Sequence, residues 1–310
     1  MQSLIIGVID YLPWRSVKPW AISLRKTGFT GDVVILGYRM DEEEVREGCK
    51  KFGFELVVAK KDDQGQPIDH ARGGLDTQAF RWRNYHVWKY LQETDRDYGF
   101  VALIDTSDVV FQRNPDDFFE GLKGEAPGVY LPSEGVLIEH EKWTARLIKE
   151  NFGEAVFERL KNFEACNGGT MFGTAKEFAE FNLQLFRMVR DVDVIGIDQP
   201  AMNLLADSFP SVKRLPVSAG WACQCGTMLD PMKIGYPLVC DKPLIRNSAA
   251  YYGEKPFVLF HQYTRDPDLR NPVAWKYVGV PMKFQWWYRA LRRVCLATGV
   301  FSKKLGCLVA

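Results

Sequence analysis

The stretch Phe100-Val101-Ala102-Leu103-Ile104-Asp105-Thr106-Ser107-Asp108-Val109-Val110-Phe111-Gln112 decides how the rest of the chain is read. Its first five residues are apolar and partly β-branched, which predicts a buried strand. Two carboxylates, three positions apart, follow where the apolar run stops, and a second apolar run begins after them. A buried parallel strand has no use for Asp in its interior, but its carboxyl end is where α/β proteins place ligands. Two oxygen-rich side chains there suit a hard divalent cation, which prefers carboxylates, water and phosphate oxygens. The competing reading is a turn in which Asp105 and Asp108 satisfy only local hydrogen bonds. The pair alone does not separate the two.

Upstream, Leu4 to Ile9 predicts a first strand with Asp10 and Tyr11 at its carboxyl end. Ser16 to Arg25 predicts a helix and Val33 to Leu36 a second strand. Asp41 to Lys50 predicts a helix with a capping box, Asp41 at the cap and Glu44 three residues on. Phe54 to Ala59 predicts a third strand. Strand, helix, strand, helix, strand argues for a parallel sheet with helical crossovers. Lys60 to Gly74 is a polar loop. Thr77 to Gln92 has helical spacing and carries Arg81, Arg83 and Lys89. Any of these fits a solvated face, but the helix feeds into the strand before Asp105, so Arg81 or Arg83 can reach a phosphate bound there.

Downstream, Asp116 to Gly121 predicts a short helix, Gly128 to Leu131 a strand, and Glu139 to Asn151 and Glu154 to Leu160 two helices. Cys166-Asn167-Gly168-Gly169-Thr170 is a turn running into a short apolar strand, and glycines there permit close approach of the backbone to a ligand. An ordinary hairpin turn accounts for it equally. A helix with a Thr174/Glu177 capping box follows. Asp198 caps another helix, with Gln199 beside it and Pro200 in the first turn. After a strand at Val212 to Leu215, residues 216–255 lack periodicity and read as surface loops around a site. Pro256 to Phe260 predicts a last buried strand that delivers His261 at its end, suited to a core position or to a metal.

Bulk properties exclude several classes. The chain has 310 residues, 46% apolar and 25% charged, as ordinary globular proteins do. A formal net charge of +1 implies no general affinity for nucleic acid. The seven cysteines are scattered, and Cys223 and Cys225 are too sparse for a zinc site, so reduced cytosolic thiols are expected. The first ten residues lack a basic region and end in an acid, which predicts a strand in place of a signal peptide. No apolar run approaches the roughly 20 residues of a membrane span.

In order along the chain, Asp105-Thr106-Ser107-Asp108 after a strand, Asn167-Gly168-Gly169 before a strand, Asp198-Gln199-Pro200 at a helix start and a late Phe260-His261 resemble the GT-A type of nucleotide-sugar glycosyltransferases. The resemblance covers Leu4 to Asp266. The common acidic motif of that superfamily has one residue between its carboxylates, and this chain has two. On an extended strand that spacing puts the side chains on opposite faces, so a turn must bring them together.

The resemblance implies a Rossmann-like α/β fold: a mixed, mostly parallel sheet flanked by helices in a single elaborated domain. Residues 1–266 would form the catalytic domain, 1–112 its nucleotide-binding half and 113–266 its donor-sugar and acceptor half. It implies Mn²⁺ or Mg²⁺ held by Asp105, Asp108 and His261, and a UDP- or GDP-sugar as donor. Asp198, Gln199, Asn167 and Gly168 would line the sugar pocket, Arg81 or Arg83 would lie near the phosphates, and Asp10 or Tyr11 near the base. The acceptor would be a hydroxyl of a glycan, protein or lipid-linked substrate. Likeness of Asp198-Gln199 and His261 to retaining members favours retention over inversion. A metal-dependent phosphatase and a non-catalytic nucleotide-sugar binder are the other readings.

Residues 267–310 form a C-terminal extension. From Pro281 to Ala310 there are six basic residues and no acidic ones, with Phe284, Trp287, Tyr288 and Leu291 on one helical face. Such a helix can pack on the domain or lie on an anionic membrane surface. The expected location is cytoplasmic, with peripheral membrane contact through 281–310 as the second expectation.

Overall fold

A computed structural model describes residues 2–66, 68, 78–229, 237–265 and 267–278. Its first half alternates: β1 (Gln2–Asp10), α1 (Trp14–Lys26), β2 (Asp32–Tyr38), α2 (Glu42–Phe52), β3 (Glu55–Val58), α3 (Gln78–Glu93), β4 (Tyr98–Asp105) and β5 (Val109–Phe111). The chain continues with α4 (Pro115–Glu120), β6 (Val129–Leu137), α5 (Lys142–Phe152), α6 (Glu154–Leu160), β7 (Glu164–Cys166), β8 (Thr170–Thr174), α7 (Ala175–Val189), α8 (Asp198–Ser208) and β9 (Val212–Leu215). The last described elements are β10 (Ala222–Gln224), α9 (Cys225–Met228), β11 (Leu244–Arg246), β12 (Ala249–Tyr252), β13 (Lys255–Pro256), β14 (Leu259–His261) and α10 (Pro267–Val278).

The main sheet has the order β3-β2-β1-β4-β8-β6-β7, with β9 beside β6. The first four strands are parallel, and β8 joins β4 antiparallel. The sheet is thus mixed and mostly parallel, as expected. Both faces are covered, which is why β1 is nearly continuous in apolar residues. Period-two alternation sends Leu4 and Ile6 towards α3, α7 and α8, and Ile5 and Ile9 towards α1 and α2. Helix α2 starts where its capping residue predicts: the Asp41 carboxylate accepts from Glu44 N at 3.0 Å.

Three local expectations are corrected. The described part of residues 216–255 is not all surface loop. Trp221, Cys223, Cys225 and Met228 are buried, and β10 pairs with β14 and β14 with β5 in a second, three-stranded sheet. Short strands of three residues leave no readable period. The Thr174 hydroxyl donates to the Glu177 carboxylate at 2.6 Å and makes no bond to a backbone N–H of α7. Strand β6 runs on to Leu137, past Pro132 and Gly135, through a register shift between Ser133 and Leu137.

Candidate metal and donor site

The turn after β4 does what the two-residue spacer demands. Asp105 ends the strand, Thr106 donates from Oγ1 to Val8 O at 2.5 Å, and β5 begins at Val109. A Cβ on Gly7 would lie 2.6 Å from the Thr106 methyl, so glycine in the neighbouring strand admits this turn. Strand β14 then pairs antiparallel with β5, His261 opposite Val109, which sets the imidazole beside Asp108. His261 Nε2 lies 3.5 Å from Asp105 Oδ2 and 3.5 Å from Asp108 Oδ1. One ligand atom from each residue falls within 4.8 Å of the others. Two carboxylates and one imidazole from two sheets converge on a single point.

The imidazole is oriented from behind. Gln224 Nε2 donates to Thr170 Oγ1 at 2.9 Å, which turns Gln224 Oε1 towards His261 Nδ1 at 2.7 Å. Nδ1 is therefore the donor, and Nε2 is the atom facing the carboxylates. The residue after His261, Gln262, has φ +59°, and a Cβ on Gly226 would sit 1.7 Å from its Oε1. A strained non-glycine residue at the end of a site-bearing strand fits a position whose direction matters more than its backbone energy. Burial works against a charged imidazole, but Asp108 and Asp105 outweigh it and lift His261 to about 10. Burial likewise opposes the Asp105 charge, and His261 and Arg83 overcome it, holding that carboxyl at about 2.

Arg83 joins the Asp105–Asp108–His261 cluster to Asp198. It donates to Asp105 Oδ1 at 2.9 Å and, through its other terminal nitrogen, to Asp198 Oδ2. The guanidinium is 6% exposed and the Asp198 carboxylate 3%. The helical face that reads as solvated is thus buried at Arg83. Asp198 does not act as a cap. Ile197 occupies the cap position, and the Asp198 carboxylate faces Arg83 from the first turn of α8. Burial pushes Asp198 above the usual carboxylate range, with Arg83 opposing. The side chain of Arg81 lies outside the described residues.

The glycine turn fits tightly against this group. A Cβ on Gly169 would lie 2.3 Å from Asp105 Oδ2 and 3.0 Å from His261 Cε1. A Cβ on Gly168 would lie 3.5 Å from an Arg83 terminal nitrogen. Asn167 Oδ1 accepts from Gly169 N at 2.8 Å and closes the turn. Gln199 Oε1 reaches Gly168 N at 3.5 Å and Asn167 Nδ2 at 3.4 Å. The structure therefore brings Asp105, Asp108, His261, Arg83, Asp198, Asn167, Gly168 and Gln199 together.

Asp10 and Tyr11 lie at the carboxyl end of β1, one strand from Asp105. Asp10 accepts two bonds from Arg39, at 2.9 and 2.6 Å. Tyr11 is 80% exposed with φ +55°, and the Arg39 guanidinium lies 5.7 Å from its ring centroid. Sequence reasoning missed Arg39, Gln224, Thr227 and Glu134. Only Glu134 left a signal: an acid followed by glycine inside an apolar run marks a bulge.

No protein-family model matches the chain, and no curated protein matches it in sequence. Solved structures do match. The glycosyltransferase GlyE of Streptococcus pneumoniae TIGR4 is 16% identical with a TM-score of 0.52, over 94% of this chain and 65% of that one. The galactosyltransferase LgtC, solved with donor and acceptor sugar analogues, is 14% identical with a TM-score of 0.50, over 91% of this chain and 98% of that one. Mouse xyloside xylosyltransferase 1 in its apo form is 11% identical with a TM-score of 0.46, over 84% and 97%. The first two place the fold in the GT-A glycosyltransferase type.

Proposed function

We infer that this chain is a metal-dependent glycosyltransferase that moves a sugar from a nucleotide-sugar donor to a hydroxyl acceptor. The observation that carries it is the convergence of Asp105, Asp108 and His261 at the carboxyl ends of β4 and β14. The donor set of two carboxylates and one imidazole fits Mn²⁺ or Mg²⁺, and the missing Cβ of Gly169 leaves the Asp105 carboxylate its place. When bound, that ion would supply Lewis-acid stabilisation to the charge growing on a leaving diphosphate.

The chain's own residues divide the rest. Arg83 holds Asp105 Oδ1, so that Oδ2 stays turned towards His261. Asp198, held by the same guanidinium, fixes the first turn of α8 and with it Gln199 at the edge of the donor-sugar pocket. Asn167 and Gly168 shape that pocket's floor. Tyr11 offers an open ring face to the base, and residues 1–112 carry the nucleotide side. A retaining course is favoured by the likeness of Asp198-Gln199 and His261 to retaining members of the GT-A type. The leaving phosphate would then take the acceptor's proton. Inversion is the alternative, and the anomeric configuration of the product decides between them. No described helix is long and apolar enough to cross a membrane.

The test is transfer from a panel of UDP-glucose, UDP-galactose, UDP-xylose and GDP-mannose with Mn²⁺ to hydroxyl acceptors. Asp108→Ala should cost at least about 100-fold in turnover, in keeping with the several kcal/mol a Lewis acid supplies, with melting temperature preserved. Full transfer in EDTA, or in that variant, overturns the reading. Release of inorganic phosphate in place of the nucleoside diphosphate would instead mark a phosphatase.

A further inference from the structure

Glu134 is a carboxylate 3% exposed in the middle of β6, and nothing in the reaction outlined above uses it. Its inward direction follows from the local backbone. Gly135 has φ +73° and takes a bond from its own N–H to Ser133 Oγ at 2.9 Å, within the register shift of β6. Such a bulge re-aims a side chain out of the alternation of the strand. A Cβ on Gly135 would lie 3.0 Å from both Cys240 Sγ and Met228 Sδ, so the bulge needs glycine twice over.

The carboxylate meets donors. Glu134 Oε1 accepts from Asn167 Nδ2 at 2.8 Å and from Gln199 Nε2 at 3.3 Å, and Oε2 accepts from Thr227 Oγ1 at 3.2 Å. An ionised carboxylate only accepts, so each carboxamide must turn its NH₂ towards it. Asn167 is fixed from two sides, since its Oδ1 takes the backbone N–H of Gly169 at 2.8 Å. Gln199 is fixed next: its Oε1 faces Asn167 Nδ2 and Gly168 N, and its NH₂ faces Glu134 and Thr144 Oγ1 at 3.4 Å. Reversing either amide would set NH₂ against N–H and a carbonyl against a carboxylate, and buried polar groups left unmade are costly.

We propose that Glu134 is a positioning residue: it fixes the orientation of the Asn167 and Gln199 carboxamides and so presents the Gln199 carbonyl oxygen to the glycine turn that floors the donor-sugar pocket. It acts through those amides. Its effect on turnover rests on the glycosyltransferase reading, whereas the orientation of the amides does not.

The experiment pairs two variants. Glu134→Met fills the same space and accepts from neither amide. Glu134→Gln keeps one carbonyl oxygen for the Oε1 place, where both amides donate, and turns its NH₂ to the Thr227 hydroxyl, which can accept. Glu134→Met should lower kcat for transfer by about 10- to 100-fold, the scale of a small misplacement at a reacting centre. It should leave the affinity for UDP with Mn²⁺ within about twofold and shift the side-chain ¹⁵N–¹H resonances of Asn167 and Gln199. Glu134→Gln should retain more of kcat than Glu134→Met does. A role in packing alone predicts equal kcat for the two. The inference is overturned if Glu134→Met leaves both amide resonances unmoved, if it keeps wild-type kcat, if Glu134→Gln does no better, or if UDP–Mn²⁺ affinity and melting temperature fall in step with kcat. A wild-type protein with no transfer or donor hydrolysis sinks the glycosyltransferase reading instead, and the resonances still decide the orientation.

Discussion

His261 carries a proton in the absence of metal, because two carboxylates face its Nε2 and lift it to about 10. A metal binds the neutral imidazole, so uptake must displace that proton. Mn²⁺ binding in the presence of UDP should release close to one proton at pH 7.5, measured by calorimetry in buffers of different ionisation enthalpy. Apparent affinity should climb by up to about tenfold per pH unit below pH 10. Binding without proton release would show that His261 is neutral before the metal arrives, and unchanged Mn²⁺ affinity in His261→Ala would remove it from the ligand set. The same pair sets a stability profile. The folded value lies above the ordinary 6.5, so the ion pair stabilises fully below about pH 6.5 and is lost as pH rises towards 10. The melting temperature of EDTA-treated protein should fall across that window, and His261→Gln should flatten the fall. Arg83 makes a sharper case. It bridges two carboxylates at 6% exposure, and removing one partner of a buried pair costs about 3–5 kcal/mol. Urea unfolding of Arg83→Ala should show a loss of that size, and Arg83→Lys should not restore it, since one ammonium cannot reproduce the planar fork. A loss below about 1 kcal/mol, the usual worth of a surface pair, would contradict the buried geometry.

At the scale of elements, the turn at Asn167-Gly168-Gly169 and the strand end at Asp105 are one device. Gly169 lies in an ordinary backbone region but has no room for a side chain, because its Cβ would meet the Asp105 carboxylate at 2.3 Å. Gly169→Ala should therefore fold with a small loss in melting temperature, yet weaken Mn²⁺ binding and lower turnover by about 100-fold, the effect of an ångström-scale shift in a positioned group. Mn²⁺ paramagnetic resonance titration checks it, and wild-type binding by the alanine variant would show that Asp105 is not held against the turn. This pair of elements was legible in the sequence, because glycines after Asn and acids after an apolar run are local signals. Asp198 was legible as a helix-start residue but not as the partner of Arg83, since nothing local ties position 83 to position 198. Gln224 escaped for the same reason, since its partners Thr170 and His261 lie on distant strands, and the bulge signal at Glu134 did not tell that it faces Asn167, Gln199 and Thr227. The start of the 216–255 stretch was misread because β10, three residues long and buried throughout, carries neither the helical nor the alternating period.

For the molecule as a whole, the parallel order β3-β2-β1-β4 follows from alternating strands and helices, and this is why the fold class could be read from one chain. The antiparallel insertion of β8 and the small sheet β10-β14-β5 rest on long-range pairing that no local period encodes, although that small sheet carries His261 to Asp108. Beyond it, α10 lies against α1, and Lys26 and Lys276 approach the Tyr277 ring at 5.5 and 5.2 Å. Trp275 on the same helix is 52% exposed. The basic, aromatic stretch Pro281–Ala310, which lies outside the described residues, follows this helix in the sequence. Six added cations near an anionic surface, each worth about 1 kcal/mol there, are enough for peripheral binding that salt reverses. If the stretch lies on such a surface, the full chain will co-sediment with vesicles containing phosphatidylserine at low salt and dissociate as salt rises, while a chain ending at Val280 will stay in solution. Equal sedimentation of both chains would move the contact onto the folded domain. Sedimentation of neither would leave the stretch to pack on protein, where its aromatic face would be covered and its charges solvated.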